Sequence, residues 1–190
     1  MKYNIETELG AVAQLVERGE LVALCRTNTY LVCSALNEES ISKALKIKGK
    51  HDNPLILYSA NLTMAEKYVR NISHEAYVTA QKLWPSATIF ILPVKKSIPN
   101  IVTCNLDAAA FACPTEKVLR QISCLINSPL VLIKIDPVIL EELNYIAVAE
   151  CDLPFIRKRP VIFDGRDDLR RVDAEDLLLR RPITDVATVD

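Results

Sequence analysis

Short apolar runs alternate with amphipathic stretches along almost the whole chain, and that alternation restricts it to helices packed on a sheet, a mixed α/β fold. Leu9, Val12, Ala13 and Val16 share one side of a helix predicted over 6–18, which Gly19 stops. A buried strand over 21–25 and a loop over 26–30 follow. Asn37 then caps a second helix that runs to about residue 47, with Glu38 and Glu39 beside the positive end of its dipole. Strands are predicted over 54–58, 87–92, 109–113, 130–135, 145–149 and 161–163, and helices over 62–69, 74–83 and 116–126. Asp136 followed by Pro137 has the chemistry of another helix start.

The chain of 190 residues, 50% of them hydrophobic, fills one core of ordinary size. From about residue 152 charge takes over, with Arg157, Lys158, Arg159, Arg166, Arg170 and Arg171 interleaved with acids. We read 1–151 as the folded domain and 152–190 as a charged arm packed on it, carrying a turn at Asp164-Gly165 and a short helix over 174–179. A solvated charged tail is the other reading.

Composition excludes several classes of chemistry. The only glycines are Gly10, Gly19, Gly49 and Gly165, too far apart for a phosphate-cradling loop. With His51 and His74 alone, a multi-histidine metal site is excluded. The six cysteines never fall in a CxxC spacing, and Cys25, Cys113 and Cys124 sit in apolar segments, where a thiol behaves as a small hydrophobe. With 23 basic and 24 acidic side chains, attraction to nucleic acid has to be local. Glu6 and Glu8 interrupt what a secretory signal would need, and no later apolar run approaches the ~18 residues of a membrane span. A soluble, cytoplasmic protein with no membrane partner is expected.

Three loci could carry chemistry. Thr27-Asn28-Thr29 follows a buried strand, where open α/β sheets place ligands, although such hydroxyls also serve their own loop. Lys43, Lys46, Lys48 and Lys50 form a basic run; the first, second and fourth share a helical face, and an anion or plain solvation would relieve their repulsion. Asn53-Pro54-Leu55 sets the start of the next strand and so fixes where Lys48 and Lys50 are presented. Glu141-Glu142 and Asp167-Asp168 are adjacent rather than on a shared helical face, and read as surface charges.

In order, Arg26-Thr27-Asn28-Thr29-Tyr30, Ala35-Leu36-Asn37-Glu38-Glu39, Lys48-Gly49-Lys50, Asn53-Pro54-Leu55 and Trp84-Pro85-Ser86-Ala87-Thr88 resemble the motifs of the YrdC family, the threonylcarbamoyl-adenylate synthases of tRNA modification. The resemblance covers roughly residues 9–137. It implies a twisted, mostly open mixed sheet with helices in a single domain, and a positively charged cavity for ATP, threonine and bicarbonate. The product would be threonylcarbamoyl-AMP with release of pyrophosphate, Mg2+ accompanying the nucleotide. Carried over by position, Thr27 and Thr29 would contact substrate, and Lys48 and Lys50 phosphate. No catalytic residue is assigned.

Departures cluster where the family binds its ligands. Arg26 stands for the loop proline, Asn28 for an acid and Lys50 for an arginine, which keeps the charge but loses the planar fork. Ala112 stands for the arginine of an Ala-Val-Arg stretch, and Lys134-Ile135-Asp136 for Ser-x-Asn. Ser59-Ala60-Asn61 spells that motif but comes too early in the order. Lys134 would replace a lost positive charge, whereas Asp136 reads either as opposing phosphate or as a helix cap. Two functions follow: a divergent synthase using Lys48, Lys50 and Lys134 as its cationic site, or a catalytically impaired YrdC-like protein that binds nucleotide, tRNA or double-stranded RNA.

Overall fold

The fold is built around one sheet whose strands are almost uniformly apolar on both sides, because helices cover both. The computed structural model describes residues 2–26, 28–49, 53–143, 146–151 and 160–173. In chain order the strands are β1 (Lys2–Tyr3), β2 (Val22–Cys25), β3 (Thr29–Ser34), β4 (Ile56–Tyr58), β5 (Thr88–Pro93), β6 (Ala108–Ala112), β7 (Leu130–Ile135), β8 (Ala147–Glu150), β9 (Val161–Asp164) and β10 (Arg170–Val172). The helices are α1 (Leu9–Glu17), α2 (Glu38–Lys48), α3 (Leu62–Glu66), α4 (His74–Leu83), α5 (Asn100–Thr103), α6 (Lys117–Leu125) and α7 (Pro137–Glu142). They form a single mixed, open sheet in the order β1-β8-β2-β3-β7-β4-β6-β5-β9-β10.

Alternation along each strand sorts the core into two layers. Leu31, Cys33, Ile133, Ile135, Leu57, Phe111, Phe90 and Leu92 face one side and pack against Ile41 and Ala44 of α2, Met64 and Ala65 of α3, Ala76 and Ala80 of α4 and Val102 of α5. Tyr30, Val32, Leu130, Tyr58, Ala108, Ala110, Ala112, Ile89 and Ile91 face the other, where Val12, Ala13 and Val16 of α1 and Leu119 and Ile122 of α6 pack. The cover is unequal. Ten strands at about 4.8 Å span roughly 43 Å, whereas two helices of about 10 Å diameter shield only half of that. The α1/α6 face therefore carries fewer of the described helices, although its apolar strand residues are largely buried as well.

Local chemistry explains most boundaries. Asn37 Oδ1 accepts from Ser40 N at 2.9 Å, Asn61 Oδ1 from Met64 N at 2.9 Å and Asp136 Oδ1 from Val138 N at 3.0 Å, so three helices begin on their predicted or recognisable caps. Gly19, at φ +79°, lets the chain turn out of α1 into β2.

Several expectations are corrected. The loop expected over 26–30 is only the tip of a hairpin: Cys25 pairs with Thr29 and Leu24 with Tyr30, so Thr29 and Tyr30 belong to a strand that the apolar, non-alternating run to Ser34 concealed. Strands β1 and β10 and helix α5 are too short to show a period. Helix α2 ends at Lys48 and Gly49 leaves it at φ 92°, so the helical spacing offered for Lys50 does not extend that far. Lys50 and Thr27 lie outside the described residues, as do Tyr145 and the helix expected over 174–179. Cys113 is buried, but Cys124 is exposed on α6 and Cys25 half-buried, so Cys124 is no core hydrophobe.

No helix among the described residues is long and apolar enough to cross a membrane.

Candidate functional site: a cleft on the thinly covered face

Cross-strand register fixes which side chains meet on the α1/α6 face. Ile91 lies beside both Asp164 and Ala110, and Ala110 beside Ile56, so Asp164, Ile91, Ala110 and Ile56 form one line across four strands. Ala108 and Ala110 put small, buried side chains on β6 between the flanking isoleucines of this layer. Tyr30 and Lys134 are directly opposed across β3 and β7 on the same face.

Above the floor stand Tyr30, Tyr58 and Glu116, the residue that precedes α6. Burial pushes the Tyr58 phenol well above its usual ionisation range, and the neighbouring Tyr30 and Glu116 add to the shift. All three are buried, at 6%, 7% and 9% exposure, though less completely than Leu24 and Val32 on this face. Thr115 donates to Glu116 Oε2 at 3.1 Å.

At the far side of the line, Asp164 is clasped by two arginines of the β9–β10 connection and β10. Arg166 Nε and Nη2 reach Oδ1 and Oδ2 at 2.9 and 2.8 Å, and Arg170 Nη2 reaches Oδ2 at 3.1 Å. Burial raises the Asp164 carboxyl, but hydrogen bonds from both arginines outweigh it and hold the group far below the ordinary carboxylate range.

The residues expected to act together are divided by the sheet. Thr29 is buried opposite Ile135, on the face covered by α2. Lys48 is exposed at the C-terminal end of that helix, where the dipole favours a cation. Lys134 is exposed on the cleft face. All three lie at the same end of the sheet, since β3 begins and β7 ends there, but Thr29 and Lys134 share no surface. Lys43, also in the basic run, is paired to Glu39 at 2.7 Å.

The departures from family motifs acquire structural meaning. Ala112 is fully enclosed beneath the helices, so the place of the family arginine has become core. Asp136 caps α7. In the early Ser-Ala-Asn, Ser59 is buried and Asn61 caps α3. Trp84 donates to Thr88 O at 2.8 Å and meets Phe90 edge-on at 5.3 Å, which fixes the start of β5.

Sequence reasoning missed Tyr30, Tyr58, Glu116 and the Asp164 clasp. For Tyr30 the strand assignment would have supplied the signal; Glu116, at a helix start with no side-chain cap, offered none. Among the described residues no group of three or more His, Cys, Asp or Glu is placed to hold a metal.

A single mixed, open sheet with helices packed on both faces defines an α/β domain. The sequence profile of the Sua5–YciO–YrdC family, described as "Telomere recombination", matches residues 14–135, and the chain belongs to that family. A threonylcarbamoyl-AMP synthase of Pyrococcus abyssi is 28% identical over 127 residues, covering 66% of this chain and 37% of the relative. One of Bacillus subtilis is 29% identical over 112 residues, covering 57% and 32%. The chain thus spans about a third of the length of these two relatives. The structure of P. abyssi Sua5 complexed with L-threonine superposes with a TM-score of 0.69 at 22% identity, over 86% of this chain and 53% of that one. That likeness shows the fold.

Proposed function

We propose that the chain carries out threonylcarbamoyl-AMP synthesis, combining ATP, threonine and bicarbonate and releasing pyrophosphate, in the service of tRNA threonylcarbamoyladenosine modification. The observation that carries this reading is the family match over residues 14–135, which contains Tyr30, Tyr58, Ala112, Glu116 and Lys134. In such a reaction the neutral amine nitrogen of threonine bonds to the carbon of bicarbonate. A C–O bond of bicarbonate breaks, and the oxygen leaves as water with the proton shed by nitrogen, giving the carbamate. An oxygen of the resulting carbamate then attacks the α-phosphorus, and pyrophosphate leaves with the electron pair of the broken P–O bond. Fixed cations near the phosphates contribute most to such a transfer. Lys134 on the cleft face and Lys48 at the same end of the sheet are the described candidates, approaching a long ligand from its two sides; Lys50 and Thr27 are carried as candidates by position alone.

A second reading, a family member that binds nucleotide or RNA without synthesis, is favoured by Ala112: a cation the family uses is replaced by a side chain enclosed in the core. Purified protein incubated with ATP, threonine and bicarbonate separates the two. Threonine-dependent pyrophosphate supports synthesis. Its absence, with nucleotide still raising the melting temperature, supports the binder.

A further inference from the structure

Two buried side-chain atoms among the described residues lack a hydrogen-bond partner, Ser59 Oγ and Arg120 Nε, and the fold brings both to one end of the sheet. Strands β4 and β6 run parallel, with Tyr58 beside Ala112, so their carboxyl ends lie together. Ser59 follows β4, and its N–H donates to Ala112 O at 2.8 Å. Cys113 follows β6, and its thiol donates to Ala60 O at 3.4 Å. Arg120 approaches the same corner from α6. Ser123, one turn further along the same side of that helix, donates to Met64 Sδ of α3 at 3.0 Å, so this side of α6 faces the β4–α3 connection that Ser59 opens. Burial pushes the Cys113 thiol up to about 11, and the nearby Arg120 charge pulls it the other way.

Buried polar groups are seldom left unpaired, because each has given up its bonds to water. A guanidinium N–H and a hydroxyl that both lack an acceptor call for a group that accepts, and the positive charge calls for a negative one. Ser59 is wholly enclosed and Arg120 only half-buried, so a ligand would enter from the side of the arginine. Glu116, one turn before Arg120, is the acid closest along the helix, and it lies beside Tyr58.

We propose that Arg120 and Ser59 bind a small oxyanion, the carboxylate or phosphate group of a ligand, at the carboxyl ends of β4 and β6. Open α/β sheets place ligands at such strand ends. Here β3 finishes and β7 begins, whereas Lys48 and Lys134 stand at the opposite end of the sheet, so the inference holds whether or not the chain is a synthase.

The test uses the full chain, with inorganic phosphate and acetate as probes. Calorimetric affinity is one readout, and the Cβ resonances of isotope-labelled cysteines by NMR are the other. At least one probe is expected to bind with a Kd of about 10 mM or below and to move the Cys113 signal. Arg120→Gln should weaken that binding about tenfold or more, as for a lost charge-assisted bond, and Ser59→Ala severalfold. Ser59→Ala removes an unpartnered hydroxyl, so without ligand it should be at least as stable as wild type, which keeps the test open if Arg120→Gln does not fold. Lys134→Ala should leave the Cys113 response in place. Response to phosphate alone assigns a phosphate group and response to acetate alone a carboxylate, and either supports the site. A Cys113 signal that neither probe moves, one that moves equally in wild type and Arg120→Gln, or binding lost in Lys134→Ala and kept in Ser59→Ala overturns the proposal.

Discussion

Lys134 stands directly opposite Tyr30 across the β3–β7 ladder, and the two therefore rise from the same side of the sheet. Thr29, one residue earlier, points to the other side and is buried there. A one-residue step decides the face, because side chains alternate along a strand.

Nucleotide affinity should accordingly respond to Lys134 and not to Thr29. Lys134→Ala is expected to weaken ATP binding by roughly 1 to 3 kcal/mol, as for a lost charge-assisted bond. Thr29→Val keeps shape and burial, so it should leave affinity unchanged and alter only stability. Calorimetric titration of both variants checks the pair, and equal losses would mean that the ligand does not use the cleft face.

Restoring the family cation is expected to harm this chain. Ala112 is fully enclosed, packed in the same layer as Leu119 and Ile122 of α6, so Ala112→Arg would drive a long guanidinium side chain into a packed apolar layer. A cost above about 3 kcal/mol is expected, enough to unfold many domains. Urea denaturation measures it; a folded Ala112→Arg with tighter ATP binding would show that the position opens to a ligand.

How far the sequence could be read follows from the range of each signal. Helix α4 and strand β7 match the bounds 74–83 and 130–135 read from the sequence, since their patterns are local, and the structure adds the Ser73 side chain that caps α4. Strand β3 was not: all six of its residues are buried, so it lacks the alternation that marks a strand with one wet face. The cleft was less legible still. Tyr30, Tyr58 and Glu116 come from three separated segments: Tyr30 stands opposite Lys134 and Tyr58 opposite Leu130, four residues apart along β7 on one face, and Glu116 precedes α6. Lys134 could be named from its place in the motif order, but which face it takes depends on that register.

The Asp164 clasp predicts a pH dependence of definite sign. The folded-state carboxyl is held far below its unfolded value of about 3.9, so its contribution is fully present above that value and is lost as pH falls towards the folded one. Asp164→Asn should cost about 1 to 3 kcal/mol at neutral pH, and the gap from wild type should hold down to about pH 5 and narrow below pH 4. Arg166→Ala should cost more than Arg170→Ala, because Arg166 makes the two-point contact and Arg170 a single one. Urea melts at several pH values decide this. A gap that widens on acidification would be the wrong sign for a depressed carboxyl.

Gly19 and Asn37 are coupled although far apart in sequence. At φ +79° Gly19 occupies backbone space that an L side chain rarely enters, and a Cβ there would run into the Asn37 side chain whose Oδ1 caps α2. Gly19→Ala therefore carries two penalties: the left-handed backbone, roughly 1 to 2 kcal/mol, and displacement of the cap. Asn37→Ala alone should cost roughly 1 kcal/mol through the lost cap. Once Asn37 is truncated, the added methyl group has nothing to displace, so the double variant should be more stable than the sum predicts by at least about 0.5 kcal/mol. A double-mutant cycle by urea denaturation measures the coupling; strict additivity would mean that the amide moves aside without loosening the start of α2.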